Sequence, residues 1–336
     1  MLLTNMKLQI IPIFLSLLSM AQLSSCQEIK EKNYRLTVEV KDPDEIPISN
    51  VKAITGKLIP SNKGGGMLAN SVTVESDAAN TEGKIQLEYK SLPEPEGTLS
   101  VFGNGYYSSF YSFIWSSPEG YEGTNRSSAV QAVLKPIKTP IPMSARTFNN
   151  APIILPSINV DYGYDLELSA FVPPHGNGKH SDIIFHVTGS NDGKGKGQIQ
   201  MTVRGNGEKT GFVEFLTPER ERGSVFISDY TAPAEGYTNG LSFKFDSDDM
   251  AAAMSQRKDQ NYYFRVRCQL NPDGSIKSCH YGKLYGPFTF WNIPIEQGGV
   301  ASFGLHNSYF NSTPNDRNVE FDTTRNLIPD GNVQRP

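Results

Sequence analysis

A dense run of aromatic residues is the first feature of this sequence that suggests binding chemistry. Six aromatic side chains lie within the ten residues 106–115. Aromatic faces stack on the C–H surfaces of sugar rings, so an exposed row of Tyr107, Tyr111 and Trp115 would form a glycan-binding platform. The alternative is that alternate residues of this run fill the core of a β-sandwich. The sequence leaves both interpretations open.

Titratable residues give weaker signals for catalysis. His175 and His180 fall in one loop sequence without the short zinc-ligand spacing of a helix, so we interpret them as solvated imidazoles. A carboxylate pair suited to glycoside hydrolysis is defined by its separation in space, and the sequence selects none. We therefore predict no catalytic residue, no metal site and no cofactor, and an unrecognised hydrolase is the third choice of function.

Two cysteines predict a disulfide bond. Cys268 and Cys279 flank residues 271–274, Asn-Pro-Asp-Gly, a turn sequence between two strand-like runs. A hairpin closed by this turn brings the two side chains opposite each other. Two free thiols or a metal pair are the alternatives.

Hydrophobic residues alternate with polar residues along most of the chain, which is typical of strands. Glycine, proline, asparagine and aspartate separate most of these runs. An acidic start and an alanine-rich continuation also predict a short helix at 250–258. We therefore expect an all-β fold of two tandem β-sandwich-like domains, the second with this helix. The strand-like runs are 34–40, 84–89, 98–102, 131–134, 165–171, 182–187, 198–203, 212–216, 242–245, 263–270 and 319–321.

Length and charge exclude several classes of protein. The chain has 336 residues, enough for two domains, and a formal net charge of −4. It shows no basic stripe of the kind that binds nucleic acid, so no nucleic-acid partner is expected.

The N-terminus has the layout of an export signal. An apolar run at 8–23 follows Lys7 and is too short for a convincing membrane-spanning helix. It ends in Leu23-Ser24-Ser25-Cys26, which resembles the lipobox of bacterial lipoproteins. The resemblance implies a signal peptide at 1–25, lipidation of Cys26 and a membrane partner. Gln27 in place of aspartate favours the outer membrane within the cell envelope.

Five stretches of the first part follow the order strand, tight turn, second strand, polar hairpin and a strand that ends in Gly-Tyr. They are 36–42, 46–53, 80–85, 99–106 and 133–136. On these residues the segment 30–138 resembles the carboxypeptidase-regulatory-like, or transthyretin-like, family. Such domains are Greek-key β-sandwiches that support a neighbouring domain or mediate contacts, so the resemblance implies no catalytic residues. Glu45 replaces the glycine that usually precedes the Pro-Ile step, so that turn takes a different form.

Five stretches of the second half, 141–143, 163–167, 262–267, 281–286 and 314–322, resemble uncharacterised regions of exported bacterial proteins. This resemblance implies no chemistry. We expect a linker at 139–150, a β-rich domain of unknown function at 151–328 and a polar tail at 329–336. The function expected from the whole sequence is a lipid-anchored envelope protein that is not an enzyme. Its role would be non-catalytic binding, structure or assembly, with an envelope protein as a partner. A glycan-binding accessory lipoprotein for polysaccharide capture is the alternative.

Overall fold

The computed structural model describes residues 31–60, 69–91, 96–116, 125–147, 153–190, 192–194, 196–246, 260–286, 288–292, 301–304 and 307–336. These residues form strands, turns and one short 3-10 turn at Glu219–Glu221. The all-β class predicted from the sequence is therefore confirmed. The predicted helix at 250–258 lies outside the described residues, as does the predicted signal peptide. Within the described ranges no helix is long and apolar enough to cross a membrane.

The strands are numbered in chain order. They are β1 (Lys32–Lys41), β2 (Lys52–Pro60), β3 (Ala69–Glu75), β4 (Lys84–Ser91), β5 (Glu96–Phe102), β6 (Ser109–Ile114), β7 (Asn125–Val133), β8 (Ile141–Thr147), β9 (Ile153–Leu155), β10 (Asp161–Asp165), β11 (Ala170–Phe171), β12 (Ile183–Gly189), β13 (Gln198–Gly205), β14 (Gly211–Leu216), β15 (Gly240–Asp246), β16 (Gln260–Leu270), β17 (Ile276–Tyr285), β18 (Thr289–Asn292), β19 (Ala301–Gly304), β20 (Asn307–Asn311) and β21 (Phe321–Asn326).

The first seven strands form two facing sheets. One sheet has the order β4-β1-β7 and the other β3-β2-β5-β6. Alternation decides which side chains enter the core, since successive residues of a strand point to opposite faces. In β1 the buried residues are Tyr34, Leu36, Val38 and Val40, and they pack in one cluster with buried residues of β4, β5 and β7.

The central strand β1 pairs with one antiparallel strand and with one parallel strand. It pairs antiparallel with β4 and parallel with β7, from Asn33 opposite Asn125 to Lys41 opposite Val133. The chain therefore enters this sheet along β1 and leaves it along β7 in the same direction.

The remaining strands form three sheets. Their orders are β11-β10-β12-β13-β15, β14-β16-β17-β20-β8-β21 and β18-β19-β9. The largest buried cluster lies between the first two and includes Phe185, Met201, Phe264 and Phe310. Strand β16 is buried on both faces over Asn261–Val266, as expected for a strand inside a sandwich with further packing behind it.

Two segments differ from the sequence prediction. Strand β8 occupies much of the predicted linker 139–150 and pairs with β20 on one side and with β21 on the other. The predicted polar tail is packed rather than free: Val333 is buried, and the Tyr285 hydroxyl donates to the backbone oxygen of Pro336 at 3.0 Å. Pro336 is buried as well, and the Tyr309 hydroxyl donates to the backbone oxygen of Arg335 at 3.1 Å.

The run 165–171 is also not one continuous strand. Strand β10 ends at Asp165, whose carboxylate accepts hydrogen bonds from the backbone N–H groups of Glu167 and Leu168, both at 3.0 Å. Ser169 then adopts a left-handed φ of 52°. This aspartate turn competes with the strand, a local effect that alternation alone does not reveal.

Candidate functional site

The aromatic run from the sequence lies mostly inside the first sandwich. Trp115 is only 4% exposed. Its ring centroid lies 4.7 Å from that of Tyr34, 6.1 Å from that of Tyr89 and 4.8 Å from that of Phe113. These edge-to-face contacts make Trp115 part of the core.

The two tyrosines of the predicted row are also held by internal contacts. Tyr107 packs its ring against Phe226 at 4.9 Å and donates its hydroxyl hydrogen bond to Glu320 at 2.9 Å. The Tyr111 hydroxyl accepts a hydrogen bond from the backbone N–H of Val133 at 2.7 Å. These internal contacts hold both side chains in place.

Tyr107, Tyr111 and Trp115 therefore do not form the exposed row that glycan binding requires. The strand β6 presents the opposite parity to solvent, with Phe110 56% exposed and Ile114 73% exposed. The physical reason is register: once Trp115 and its neighbours of the same parity face the core, the residues between them must face outward.

A group of buried charges joins the first sandwich to the rest of the chain. The carboxylate of Glu320 is fully buried and accepts hydrogen bonds from the backbone N–H groups of Lys138 at 2.8 Å and Thr139 at 2.6 Å. It is the same carboxylate that binds the Tyr107 hydroxyl. One side chain thus fixes both the sandwich and the segment that leaves it.

A buried ion pair lies beside this carboxylate. Lys135 Nζ is 2.7 Å from the carboxylate of Glu221, and both side chains are less than a tenth exposed. The same ammonium donates to the backbone oxygen of Ser228 at 3.0 Å. We call the group formed by Lys135, Glu221 and Glu320 the junction cluster.

Lys283 is a second buried lysine next to the junction cluster. Its Nζ lies 2.8 Å from the Tyr285 hydroxyl and 3.1 Å from Ser228 Oγ, and 4.6 Å from the ring centroid of Phe226. Burial lowers the pKa of Lys283 well below its usual value, and the nearby charge of Lys135 acts in the same direction. The aromatic ring and the two hydroxyls partly compensate this amine for the loss of water.

The other charged centre lies at one end of the two larger sheets. Arg267 in β16 contacts three carboxylates: Asp165 at 3.2 Å, Asp182 at 2.7 Å and Glu167 at 2.5 Å. Its guanidinium also lies 4.5 Å from the ring centroid of Phe310. Arg267 has a left-handed φ of 52°, and it lies at an irregularity in the pairing of β16 with β17. This bulge directs the guanidinium across to the neighbouring sheet.

The carboxylates of this cluster already have their partners. Asp165 accepts backbone hydrogen bonds from Lys179 at 2.8 Å and His180 at 3.0 Å, besides those of its own turn. Burial raises the pKa of Asp165, but these N–H groups and Arg267 lower it by more, so it lies below its usual value. Burial raises the pKa of Asp182, and Arg267 offsets this only in part. Such fully bonded carboxylates stabilise the fold rather than act as free bases.

An open cleft of about 650 Å³ lies over this cluster. His280 lines it, with its ring stacked 5.5 Å from the ring centroid of Phe310 and its Nδ1 without a hydrogen-bond partner among the described residues. Burial lowers the pKa of His280 below its usual value, and the charge of Arg267 adds to this effect. His180 also lines the cleft, whereas His175 packs against Tyr162 at 4.6 Å, so the two loop histidines are not brought together.

The structure links the two cysteines. Cys268 and Cys279 are joined by a disulfide with an S–S distance of 2.12 Å, and Cys268 lies in the wall of the cleft. Within the described ranges no group of three or more His, Cys, Asp and Glu side chains is arranged to hold a metal ion.

The functional residues that the sequence did not indicate are charged residues among apolar ones. Lys283 lies in a run of β17 that is buried throughout, and Arg267 lies in the aromatic β16 strand. Glu320 stands between the buried residues Val319 and Phe321, just before β21. A charge in such a run is a detectable signal, because a buried charge needs a partner. The partners themselves are distant in sequence, up to 213 residues for Tyr107 and Glu320, and no local pattern identifies them.

Among known proteins, only comparison with solved structures found proteins similar to this chain. No protein-family model and no curated protein matches the chain. A chlorocatechol 1,2-dioxygenase from Pseudomonas putida is 9% identical with a TM-score of 0.25, covering 31% of this chain. The chain spans 61% of the length of that enzyme.

Proteins of the cell surface are also among the similar structures. The full-length major pilin SpaD from Corynebacterium diphtheriae is 10% identical with a TM-score of 0.21, covering 87% of this chain and 84% of its own. A putative membrane-associated protein from Bacteroides fragilis is 9% identical with a TM-score of 0.16, covering 84% of this chain and 99% of its own. At these scores the likenesses do not assign a function.

One expectation from the sequence is corrected by these comparisons. The match to an intradiol-type dioxygenase contradicts the expectation that the chain is not an enzyme, and we withdraw it. A TM-score of 0.25 over 31% of the chain does not transfer that enzyme's activity, so no reaction is assigned.

Proposed function

We propose that the protein is a lipid-anchored component of the bacterial cell envelope with a structural or assembly role. In this proposal the first sandwich resembles the carboxypeptidase-regulatory-like domains and separates the membrane anchor from the second β-rich part. The observation that carries the proposal is the parallel pairing of β1 with β7. It places the entry and the exit of the chain at opposite ends of the sandwich.

The length of the spacer follows from strand geometry. Strand β1 has 10 residues, which at about 3.3 Å per residue gives a rise of about 30 Å. The proposed lipid on Cys26 precedes Lys32, the first residue of β1, by only a few residues. The second part would then be held about 30 Å farther from the bilayer than the start of β1.

The junction cluster supports a mechanical role for this spacer. Glu320 binds Lys138 and Thr139 immediately after the sandwich, and Lys135 pairs with Glu221 in the second part. Buried charged hydrogen bonds fix orientation more firmly than exposed ones. The disulfide between Cys268 and Cys279 fits an oxidising compartment outside the cytoplasm.

Metabolic labelling tests the anchor. Cells that express the full chain are grown with an alkyne-bearing fatty acid, and the purified protein is coupled to a dye. We expect label on the wild type and none on Cys26→Ser, whereas the matched double variant Cys268→Ser/Cys279→Ser keeps it. Label on Cys26→Ser, or an unlabelled wild type, would rule out the anchor at this cysteine.

Förster transfer tests the spacer. Single cysteines for a donor dye are introduced at Lys32, the first residue of β1, and at Asp44, in the turn that follows β1, and the lipidated protein is placed in vesicles with an acceptor lipid. We expect strong transfer from position 32 and clearly weaker transfer from position 44, because β1 rises about 30 Å between them. Equal transfer from both positions would show that the sandwich lies flat on the membrane.

A further inference from the structure

The open cleft over Arg267 is built from groups that are free to bind a ligand. Loop residues before β12, the turn after β13 and the ends of β16 and β17 form its walls. Lys179 supplies a cation, His180 supplies an imidazole ring, and Asn206 and Gln269 supply side-chain amides. None of these four side chains has a hydrogen-bond or ion-pair partner in the part of the chain that the structure describes. The lining residues are Lys179, His180, Ser181, Asp182, Asn206, Arg267, Cys268, Gln269, Ser278, His280 and Pro314.

The carboxylates nearest the cleft are already paired with Arg267. The side chains of Asp165 and Asp182 are at most 1% exposed, although Asp182 lies in the cleft wall. Glu167 is bound to the same guanidinium and is not among the residues that line the cleft. The charge on the cleft walls that has no carboxylate partner among the described residues is therefore the ammonium of Lys179, which favours an anion.

We propose that this cleft binds a sugar acid, a ligand with one carboxylate and several hydroxyl groups. The carboxylate would pair with the ammonium of Lys179, since charge-assisted hydrogen bonds are the stronger ones, and it would accept a hydrogen bond from a ring N–H of His180. The amides of Asn206 and Gln269 and the hydroxyl of Ser278 would then bind the ring hydroxyls. A volume of about 650 Å³ admits one or two sugar rings.

This site is independent of the proposed spacer role. It lies in the second part of the chain, away from Tyr107, Tyr111 and Trp115, and no step of its argument depends on lipidation. A failed binding test would leave the anchor and the spacer untouched, and an unlabelled Cys26 would leave the cleft untouched.

Calorimetric titration of the full chain in detergent micelles tests the proposal. The probes are glucuronate and, as its neutral match, glucose; inorganic phosphate and acetate serve as simple anions. We expect saturable binding of glucuronate, about tenfold or more weaker binding of glucose, and weakening of glucuronate binding by added salt.

Two variants locate the site. Lys179→Ala should weaken glucuronate binding about tenfold or more, whereas Lys244→Ala, an exposed lysine on the outer face of β15, should leave it unchanged. Gln269→Ala should weaken glucuronate and glucose alike, since it removes a hydroxyl partner rather than a charge. All three positions are at the surface, so melting temperatures should match the wild type.

Four results would overturn the proposal. They are no heat with glucuronate at millimolar concentration, equal affinity for glucose, equal affinity for acetate or phosphate, and unchanged glucuronate binding by Lys179→Ala. The third of these would show a general anion site with no selection for a sugar.

Discussion

Charged side chains in apolar surroundings give this protein its most specific contacts. Glu320 has two carboxylate oxygens and three donors aimed at them: two backbone N–H groups and the Tyr107 hydroxyl. Each donor needs an acceptor oxygen, and a backbone N–H has no use for an amide nitrogen. The stability of this site therefore depends on both oxygens acting as acceptors and not only on the shape of the side chain.

Glu320→Gln tests this dependence. The amide nitrogen would face an N–H donor, from either Thr139 or Lys138, and we expect a loss of about 2 kcal/mol in the free energy of unfolding by urea. Tyr107→Phe removes one donor and leaves the carboxylate bound to the backbone, so it should cost about 1 kcal/mol. The reverse order would mean that the hydroxyl, and not the carboxylate, holds the junction.

His280 predicts a pH dependence of stability. Burial and the charge of Arg267 lower its pKa below the usual 6.5, so the unfolded chain binds a proton more readily than the folded one. The contribution of His280 is therefore fully present above pH 6.5 and is lost as the pH falls toward its folded pKa. His280→Phe keeps a ring against Phe310 and cannot titrate.

Urea unfolding at pH 7.5 and pH 5 measures this effect. The wild type should lose more stability between the two pH values than His280→Phe does. His175→Phe is the control, because His175 is exposed, packs against Tyr162 and does not line the cleft. We expect this variant to lose as much stability between the two pH values as the wild type. The same pH dependence in all three proteins would mean that His280 makes no contribution.

At the scale of strands, alternation predicted the regular elements well. The β1, β4 and β13 runs were located from the sequence because each buries one face and exposes the other. Alternation failed where an aspartate turn interrupted a predicted strand, as after Asp165. It also failed at β8, because prolines in and before this strand suggested a linker. Alternation also could not decide which parity of β6 faces inward, since both parities carry aromatic residues.

Gly282 in the middle of β17 shows how closely these strands pack. A methyl group placed on it would lie 2.0 Å from the backbone oxygen of Tyr309 and 2.2 Å from the ring of Phe264. The backbone oxygen cannot move without separating β17 from β20, and the ring covers the glycine from the other side.

Gly282→Ala should therefore be strongly destabilising. We expect a loss of about 3 kcal/mol or more in the free energy of unfolding, measured by urea denaturation. Gly240→Ala at the start of β15 is the control, because its methyl group would meet its neighbours no closer than 3.4 Å and should cost little. Comparable losses in both variants would contradict this account of the packing.

At the scale of the whole molecule, the junction cluster couples the first sandwich to the second part. Removing one partner of a buried ion pair costs about 3–5 kcal/mol, because the other charge stays buried without compensation. Glu221→Gln leaves the ammonium of Lys135 buried without its carboxylate partner. The stability that is lost belongs to the contact between the two parts and not to the core of either part.

We therefore expect a change in cooperativity. By differential scanning calorimetry, the wild type should unfold in one transition, whereas Glu221→Gln should show two separate transitions, as the parts melt independently. Glu75→Gln, which breaks the exposed pair with Lys52, should melt like the wild type. A single unshifted transition in Glu221→Gln would show that the ion pair does not couple the parts.

The sites themselves were less predictable than the strands. The junction cluster joins Lys135 to Glu221 and Tyr107 to Glu320, and Arg267 reaches Asp165 across 102 residues of sequence. The fold brings these residues together through long-range pairing, and a single sequence carries no record of such contacts. The sequence reveals only that a few charged residues, such as Arg267 and Glu320, stand among apolar ones.

The hairpin of β16 and β17 has a practical consequence for anyone who handles the protein. Its turn at 271–275 is exposed and polar, the kind of loop tip that proteases cut first. The disulfide between Cys268 and Cys279 spans that turn, so a cut there leaves both fragments covalently joined. A cleaved sample would run as one band on a non-reducing gel and would separate into two bands only after reduction. The cleavage would therefore go unnoticed unless a reduced sample is run beside the non-reduced one.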